Sequence, residues 1–172
     1  MSEVRWLDTV EQRVWRAYLD SGKLVNRALD RQMRRDSGMS LTDFEILVTL
    51  MESPDRRIRM GTLAEAMSTT RSGATRAIAR MEGLGWVRRT ECREDGRGTV
   101  AELTEAGELA QVAAAPGHVA AVRAAIFDDL APEELAVLDR VFTGIRSRLG
   151  AQDGAAVDRA GNPIGAAVDA SV

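Results

Sequence analysis

The stretch from Leu63 to Thr104 constrains the fold of this chain more than any other part of it. Its sequence is LAEAMSTTRSGATRAIARMEGLGWVRRTECREDGRGTVAELT. The spacing of its apolar residues predicts a short helix, a turn and a longer helix, followed by two short strands joined by a charged loop with glycines. A helix-turn-helix followed by a β-hairpin, the wing, is an arrangement that enters the grooves of DNA. We expect most of the remaining chain to join two protomers, so that their two copies of this unit lie at a fixed separation.

Basic residues are concentrated in this unit, although the whole chain has a net charge of −3. Between Arg71 and Arg97 there are seven arginines and four acidic residues, which leaves a local charge of +3. Phosphate binding requires basic side chains at the contact surface, not over the whole molecule. The acidic average therefore does not exclude DNA binding.

Composition predicts a mainly helical globular protein, because 45% of the 172 residues are apolar and only 4% are aromatic. The chain has no run of about 18 apolar residues, and charged residues occupy the N-terminus where a secretory signal needs an apolar run. We expect a cytoplasmic protein that does not span a membrane. One cysteine, Cys92, and one histidine, His118, exclude an intrachain disulfide and a cysteine-based zinc cluster. With no nucleophile–base pair or phosphate loop in the pattern, we expect no enzyme activity, metal or cofactor.

The longer helix of the unit, from Arg71 to about Leu84, is predicted to turn an apolar side inward. Its other side offers short polar side chains and arginines near the N-terminal end, where they can enter a major groove. The same residue types also occur on ordinary solvated helix faces, and the position between a turn and a wing is what favours DNA. Thr70 or Ser72 can cap this helix, and the exposed helix N-terminus additionally attracts phosphate. The predicted DNA contacts on this helix are Thr70, Arg71, Ser72, Thr75, Arg76 and Arg80.

The wing is predicted from two strands, Trp86–Thr90 and Thr99–Leu103, that are joined by the loop Glu91–Gly98. Arg97 in this loop can reach a neighbouring minor groove, where the negative potential attracts arginine. Asp95 can orient the guanidinium by a charge-assisted hydrogen bond. Both residues therefore join the predicted DNA contacts.

Helices are predicted on both sides of the winged unit. Residues 7 to 35 form a long amphipathic pattern with more apolar surface than one small domain can cover, which suggests a second copy of the chain as partner. The alternative is that Trp6, Val10 and Trp15 fill the core of their own chain.

Ser37-Gly38 is predicted to break the first helix, and a capping box from Ser40 to Asp43 is predicted to start the second. A capping box at Thr62 predicts the start of the short third helix, and an interruption or kink is expected near Pro116-Gly117.

These patterns divide the chain into four parts. We expect an N-terminal dimerisation helix at 1–36, the winged helix-turn-helix at 37–104, C-terminal dimerisation helices at 105–149 and a disordered tail at 150–172. The tail contains no leucine or aromatic residue, so it cannot bury enough apolar surface to offset the entropy of ordering. The predicted fold class is mainly α with a small β-hairpin wing.

Three segments together resemble the MarR (multiple antibiotic resistance regulator) family of bacterial winged-helix repressors. They are TLAEAM, ATRAIARMEGLGWVRR and the wing ending DGRGTVAELTEAG, within a similarity that covers roughly residues 7 to 149. The Asp-x-Arg pattern of the family's wing falls on Asp95-Gly96-Arg97, and its Leu-Thr-x-x-Gly step falls on Leu103 to Gly107. The resemblance implies a homodimer with a triangular arrangement of helices that binds a pseudo-palindromic operator. It also implies release of the DNA by a small ligand or by oxidation.

The resemblance further implies an effector site between the dimer helices and the winged unit, where some members bind phenolic or aromatic acids. In this chain the region would draw on Trp15, Tyr18, Phe44, Val48 and His118. Each of these residues is equally compatible with ordinary packing.

Two other functions are compatible with the sequence. Family members that sense peroxide carry a cysteine near the first helix, and this chain has none there. Cys92 lies in the wing beside Arg93, which favours a thiolate, so it is either a redox sensor or an incidental exposed thiol. The second alternative is a winged-helix module that binds protein and not DNA. The arginines on both the helix and the wing favour a dimeric DNA-binding repressor.

Overall fold

A computed structural model of the chain describes residues 4–91 and 98–152. The described part is mainly helical and contains a small antiparallel sheet of three strands, so the predicted fold class is confirmed. Two short helical turns, Pro54–Arg56 and Arg123–Phe127, supplement the regular elements. The helices are α1 (Thr9–Ser37), α2 (Leu41–Glu52), α3 (Met60–Ala66), α4 (Arg71–Gly83), α5 (Glu105–Val122) and α6 (Pro132–Gln152), and the strands are β1 (Arg57–Arg59), β2 (Val87–Glu91) and β3 (Thr99–Leu103).

Helix α1 is sharply delimited at both ends. Asp8 and Glu11 form a capping box at its start, and Gly38 ends it with a left-handed φ of 68° that glycine adopts without a steric penalty. The 29 residues of α1 extend over about 43 Å. Only residues near its C-terminal end, such as Leu29 and Met33, are buried in the chain's own core. Trp6 and Trp15 are 84% and 50% exposed, so the alternative that they fill that core is wrong.

Helix α2 lies at the centre of the core, because it buries residues on more than one of its sides. Ser40 and Asp43 form the predicted capping box at its start. The core joins α2 to the end of α1, to α3, to α4 and to the sheet. Its largest fully buried side chains are Met33, Met39, Ile46, Leu47, Leu50, Leu63, Ile78 and Met81.

The sheet has the strand order β1-β3-β2 with antiparallel pairing throughout. The register places Ile58 opposite Ala101 and Val87 opposite Leu103. All four of these side chains are buried, so this face of the sheet closes the core beneath α4. Strand β1 leads directly into α3, which begins at Met60. The predicted start at Thr62 is therefore wrong. Arg59 makes the last pair with β3, and the helix begins at the next residue, Met60.

Helix α5 continues through Pro116 to Val122, so the expected interruption there is also wrong. Contacts with α1 and α2 hold the helix in place along this stretch. Gly117 permits the close approach, because a Cβ at this position would lie 3.1 Å from Nε2 of Gln32 on α1. The tertiary contacts thus offset the hydrogen bond that proline removes.

An 18-residue window within the continuous helical stretch Glu105–Phe127 has a mean hydropathy of 1.2, and the stretch is long enough to cross a membrane, by length and composition only. The sequence has no unbroken run of about 18 apolar residues, because polar and charged residues interrupt this stretch. In the structure this stretch packs on α1 and α2, and Ala114 within it is buried in the core. Most of its other residues are exposed or half-buried in the single chain.

Candidate nucleic-acid interface

The N-terminal end of α4 is organised by hydroxyl groups. Thr70 is the N-cap, and its Oγ1 accepts a hydrogen bond from the Gly73 amide at 3.1 Å. The hydroxyls of Thr70 and Ser72 lie 3.1 Å apart, and Thr75 Oγ1 donates to the Arg71 carbonyl at 2.8 Å. These bonds stabilise the first turn of α4, where Thr70, Ser72 and Thr75 present short polar side chains.

The two sides of α4 have opposite environments. Its inward side is buried through Ala74, Ala77, Ile78 and Met81. The predicted contacts Arg71, Ser72, Thr75 and Arg76 are all exposed. Among the residues that the structure describes, neither Arg71 nor Arg76 has a carboxylate partner. These two guanidinium groups are therefore available to an external anion.

Arg80 has a different environment from the other predicted contacts. Its Nη2 forms an ion pair with Oδ1 of Asp43, whose side chain is 5% exposed. The sequence pattern identifies Asp43 only as a capping-box residue. A capping box is visible in four consecutive residues, whereas a contact between positions 43 and 80 depends on how α2 and α4 pack.

Ion pairs also connect the first wing strand to its surroundings. The Glu82 carboxylate on α4 pairs with Arg89 at 2.6 Å, and the Arg89 guanidinium lowers the pKa of Glu82 below its ordinary range. Arg88 on β2 pairs with Glu102 on β3. Three residues of interest, Cys92, Asp95 and Arg97, lie outside the described residues, so their predicted roles remain predictions.

The five predicted effector residues form two separate groups in a single chain. The rings of Trp15 and Tyr18 stack at a centroid distance of 5.7 Å on the exposed half of α1. The ring centroids of Phe44 and His118 lie 4.5 Å apart, and Val48 packs against the core one turn further along α2. Tyr18 lies about 21 Å along α1 from Gln32, the residue that packs beside Gly117. One chain alone therefore does not bring all five together.

Two buried polar atoms near His118 lack hydrogen-bond partners within the described ranges, Nδ1 of His118 and Oε1 of Gln32. Gln32 uses its Nε2 to donate to Asp36 at 3.0 Å. Burial lowers the pKa of His118, which favours the neutral ring. Gln32 belongs to no motif that is visible in the sequence, and its position on the inward stripe of α1 is the only signal that points to it. No group of three metal-ligating side chains occurs in residues 4–91 and 98–152.

An open apolar groove of about 590 Å³ runs along α5. Its walls include Val112, Pro116 and Val119. Val112 and Val119 are more than half exposed, so no residue that the structure describes covers this groove.

Comparison with known proteins connects these features to a family. Residues 37–98 match the model described as MarR family. A stretch of 90 residues is 32% identical to the transcriptional repressor MprA of Escherichia coli K12; it covers 52% of this chain and spans about half, 49%, of that repressor.

Two solved structures from Streptomyces coelicolor are similar over most of the chain. Sco3205, a MarR family transcriptional regulator solved in complex with DNA, is 45% identical with a TM-score of 0.79, over 87% of this chain and 93% of that one. AbsC, a MarR family transcriptional regulator, is 40% identical with a TM-score of 0.77, over 85% of this chain and 98% of that one. Because this identity extends over nearly the whole of both relatives, the chain belongs to the MarR family of transcriptional regulators.

Proposed function

We propose that this chain is a cytoplasmic, dimeric repressor that binds a pseudo-palindromic operator and acts through DNA binding, not catalysis. The observation that carries the proposal is the exposed N-terminal half of α4, where Arg71 and Arg76 have no carboxylate partner in the described part of the chain. The similar protein Sco3205 was solved in complex with DNA. The similar protein MprA is a transcriptional repressor.

In this proposal α4 enters the major groove with its N-terminal turn first. Arg76 is the base-reading residue, because arginine can donate two hydrogen bonds to guanine. Ser72 and Thr75 add shorter hydroxyl contacts, and the backbone amides near Thr70 face phosphate. Arg97 in the wing enters the adjacent minor groove, oriented by Asp95.

The proposed dimer would cover apolar surface that one chain leaves exposed. Such a surface on a soluble protein marks an interaction site. A symmetric partner would bring the same segments of both chains together and set the distance between the two α4 helices. The exposed residues are Trp6, Leu7, Val10, Val14 and Trp15 near the N-terminus, Leu109, Val112 and Val119 on α5, and Leu135, Val141, Phe142 and Leu149 on α6.

The proposed effector site lies at the junction of α1, α2 and α5. It is supported by the two unpartnered buried atoms, His118 Nδ1 and Gln32 Oε1, because a buried polar atom without a partner favours a ligand that can hydrogen-bond to it. The Phe44 ring beside His118 suits an aromatic ligand. A ligand that bound better to the DNA-incompetent dimer would shift the population toward it and release the operator.

The first experiment selects DNA from a random-sequence duplex pool with the full chain and titrates binding of the enriched duplex against salt. We expect selective binding of a palindromic sequence by a dimer, with an affinity that falls steeply as salt rises. Sedimentation of the free protein checks the dimer, and a panel of hydroxybenzoic acids checks release. Controls are a scrambled duplex and the variant His118→Phe in the release assay.

Two results would contradict the proposal. A folded dimer that enriches no DNA sequence would assign the winged unit to a protein partner. A chain that stays monomeric in buffer but binds lipid vesicles would assign the exposed α5 surface to a membrane.

A further inference from the structure

We infer that Arg80 positions α4 for DNA reading by binding the buried carboxylate of Asp43 and does not contact DNA itself. The inference rests on the proposed function, since it takes α4 to be the helix that reads DNA. It assigns to Arg80 a different role from that of Arg76, one helical turn earlier.

Asp43 is a fixed point in the fold. Its Oδ2 accepts hydrogen bonds from the Ser40 amide at 3.2 Å and the Ser40 hydroxyl at 2.6 Å, and its Oδ1 accepts from Arg80. Its side chain is 5% exposed, so the carboxylate has lost most of its hydration and requires these donors. Among the described residues Arg80 makes the direct ion pair with Asp43, and Arg34 acts on the same carboxylate from a longer distance.

The corner that carries Asp43 is itself tied to α1. The Leu41 amide donates to Oδ1 of Asp30 at 3.0 Å, and Arg34 donates to Oδ2 of the same carboxylate at 2.8 Å. The start of α2 is therefore held in place from the helix that precedes it. Arg80 connects α4 to this corner, so its ion pair sets the orientation of α4 relative to α1 and α2.

Arg80 and Arg76 occupy adjacent turns, about 6 Å apart along α4. Arg76 is exposed and has no carboxylate partner in the described part of the chain, whereas half of the Arg80 side chain is covered and its charge is already paired. Residues that bind a ligand must be held within about 0.5 Å of their productive positions by the contacts around them. An anchor one turn from the base-reading residue meets this requirement.

The salt dependence of DNA binding separates positioning from direct contact. A phosphate contact contributes about 0.9 to the slope of log affinity against log salt, whereas a positioning contact contributes nothing. The experiment uses the duplex enriched by the wild-type chain and measures affinity, salt slope and discrimination against a duplex with one changed base pair. The variants are Arg80→Ala, Arg80→Lys, Asp43→Asn and the double variant Arg80→Ala with Asp43→Asn.

We expect Arg80→Ala and Asp43→Asn each to weaken binding on the order of tenfold and to reduce discrimination, with an unchanged salt slope. The double variant should be no weaker than either single variant, because both remove the same ion pair. Arg80→Lys should recover much of the discrimination, since a lysine can keep the pair. Arg56→Ala, which breaks an ion pair with Glu108 away from α4, is the matched control and should change none of these quantities.

Several results would overturn the inference. A salt slope lowered by about 0.9 per protomer in Arg80→Ala, with normal binding by Asp43→Asn, would show that Arg80 contacts phosphate. Lower thermal stability with unchanged discrimination would show a purely structural pair. If Arg80→Ala does not fold, Arg80→Lys and Asp43→Asn give the same comparison. A wild-type chain that enriches no sequence would refute the proposed function first, which distinguishes that failure from a failure of the anchor alone.

Discussion

Glu82 on α4 holds Arg89 on β2 through two contacts, a 3.0 Å hydrogen bond from the Arg89 amide and a 2.6 Å ion pair with its guanidinium. The first contact is made to backbone, so it constrains where the wing begins and not only where a side chain lies. The helix that is proposed to read DNA and the strand that leads to the wing tip are thus joined directly. Their relative orientation is a property of the folded protein before any DNA binds.

Replacing Glu82 by Gln should lower the free energy of unfolding at neutral pH by roughly 0.2–1 kcal/mol, the range for partly exposed ion pairs. Arg89 lowers the pKa of Glu82 in the folded state, so the carboxylate contributes its stability above its ordinary pKa of 4.5. That contribution is lost as pH falls through the lower folded pKa. Thermal unfolding across a pH series should therefore show the difference between wild type and variant disappearing in acid. Glu52→Gln, at an exposed position at the end of α2, is the matched control.

Replacing Arg76 by Ala should weaken binding to the selected duplex by about 1–3 kcal/mol and relax preference at one base pair of each half-site. The reason is the loss of a bidentate pair of hydrogen bonds to a base, which other side chains on α4 cannot replace. Competition binding against single-base variants of the duplex measures both effects. Lys23→Ala removes a surface cation on α1 and should leave affinity unchanged. Equal affinity and equal selectivity in Arg76→Ala would remove this residue from the base-reading surface.

Replacing Arg97 by Ala should weaken binding to all duplexes to a similar degree and reduce the salt slope. An arginine in the minor groove lies close to phosphates, and each neutralised phosphate contributes about 0.9 to that slope. Binding isotherms at several salt concentrations give the slope directly. If the slope of Arg97→Ala equals that of wild type, the wing does not approach the DNA.

Replacing Gly107 by Ala should destabilise the fold by about 1–3 kcal/mol or more. A Cβ at this position would lie 2.1 Å from the Trp86 carbonyl oxygen and 2.9 Å from Cδ1 of Leu103, so the start of α5 would have to move away from the sheet. Chemical denaturation measures the loss. Gly22→Ala on α1 is the matched control, because nothing lies within 4 Å of a Cβ there and alanine favours a helix by up to about 1 kcal/mol.

Local patterns in the sequence were enough to predict the elements and their faces. The break at Gly38, the caps at Ser40 and Thr70, the strand Thr99–Leu103 and the buried side of α4 all appear in the structure as expected. Each depends on residues within one or two turns of each other, where apolar spacing and capping chemistry act directly. The family resemblance, carried by contiguous motifs, was confirmed for the same reason.

Only the tertiary structure decided which distant residues meet. It paired Arg80 with Asp43, separated Trp15 and Tyr18 from Phe44 and His118, and carried α5 through Pro116. No local rule predicts these outcomes, because each depends on the packing of one helix against another. The buried Asp43 carboxylate has lost its hydration and therefore requires Arg80. Gln32 Oε1 and His118 Nδ1 are also buried, and they have no hydrogen-bond partner within the described residues. Local spacing thus determined the helices and strands of the winged helix-turn-helix, and packing decided which of its side chains are free to bind DNA.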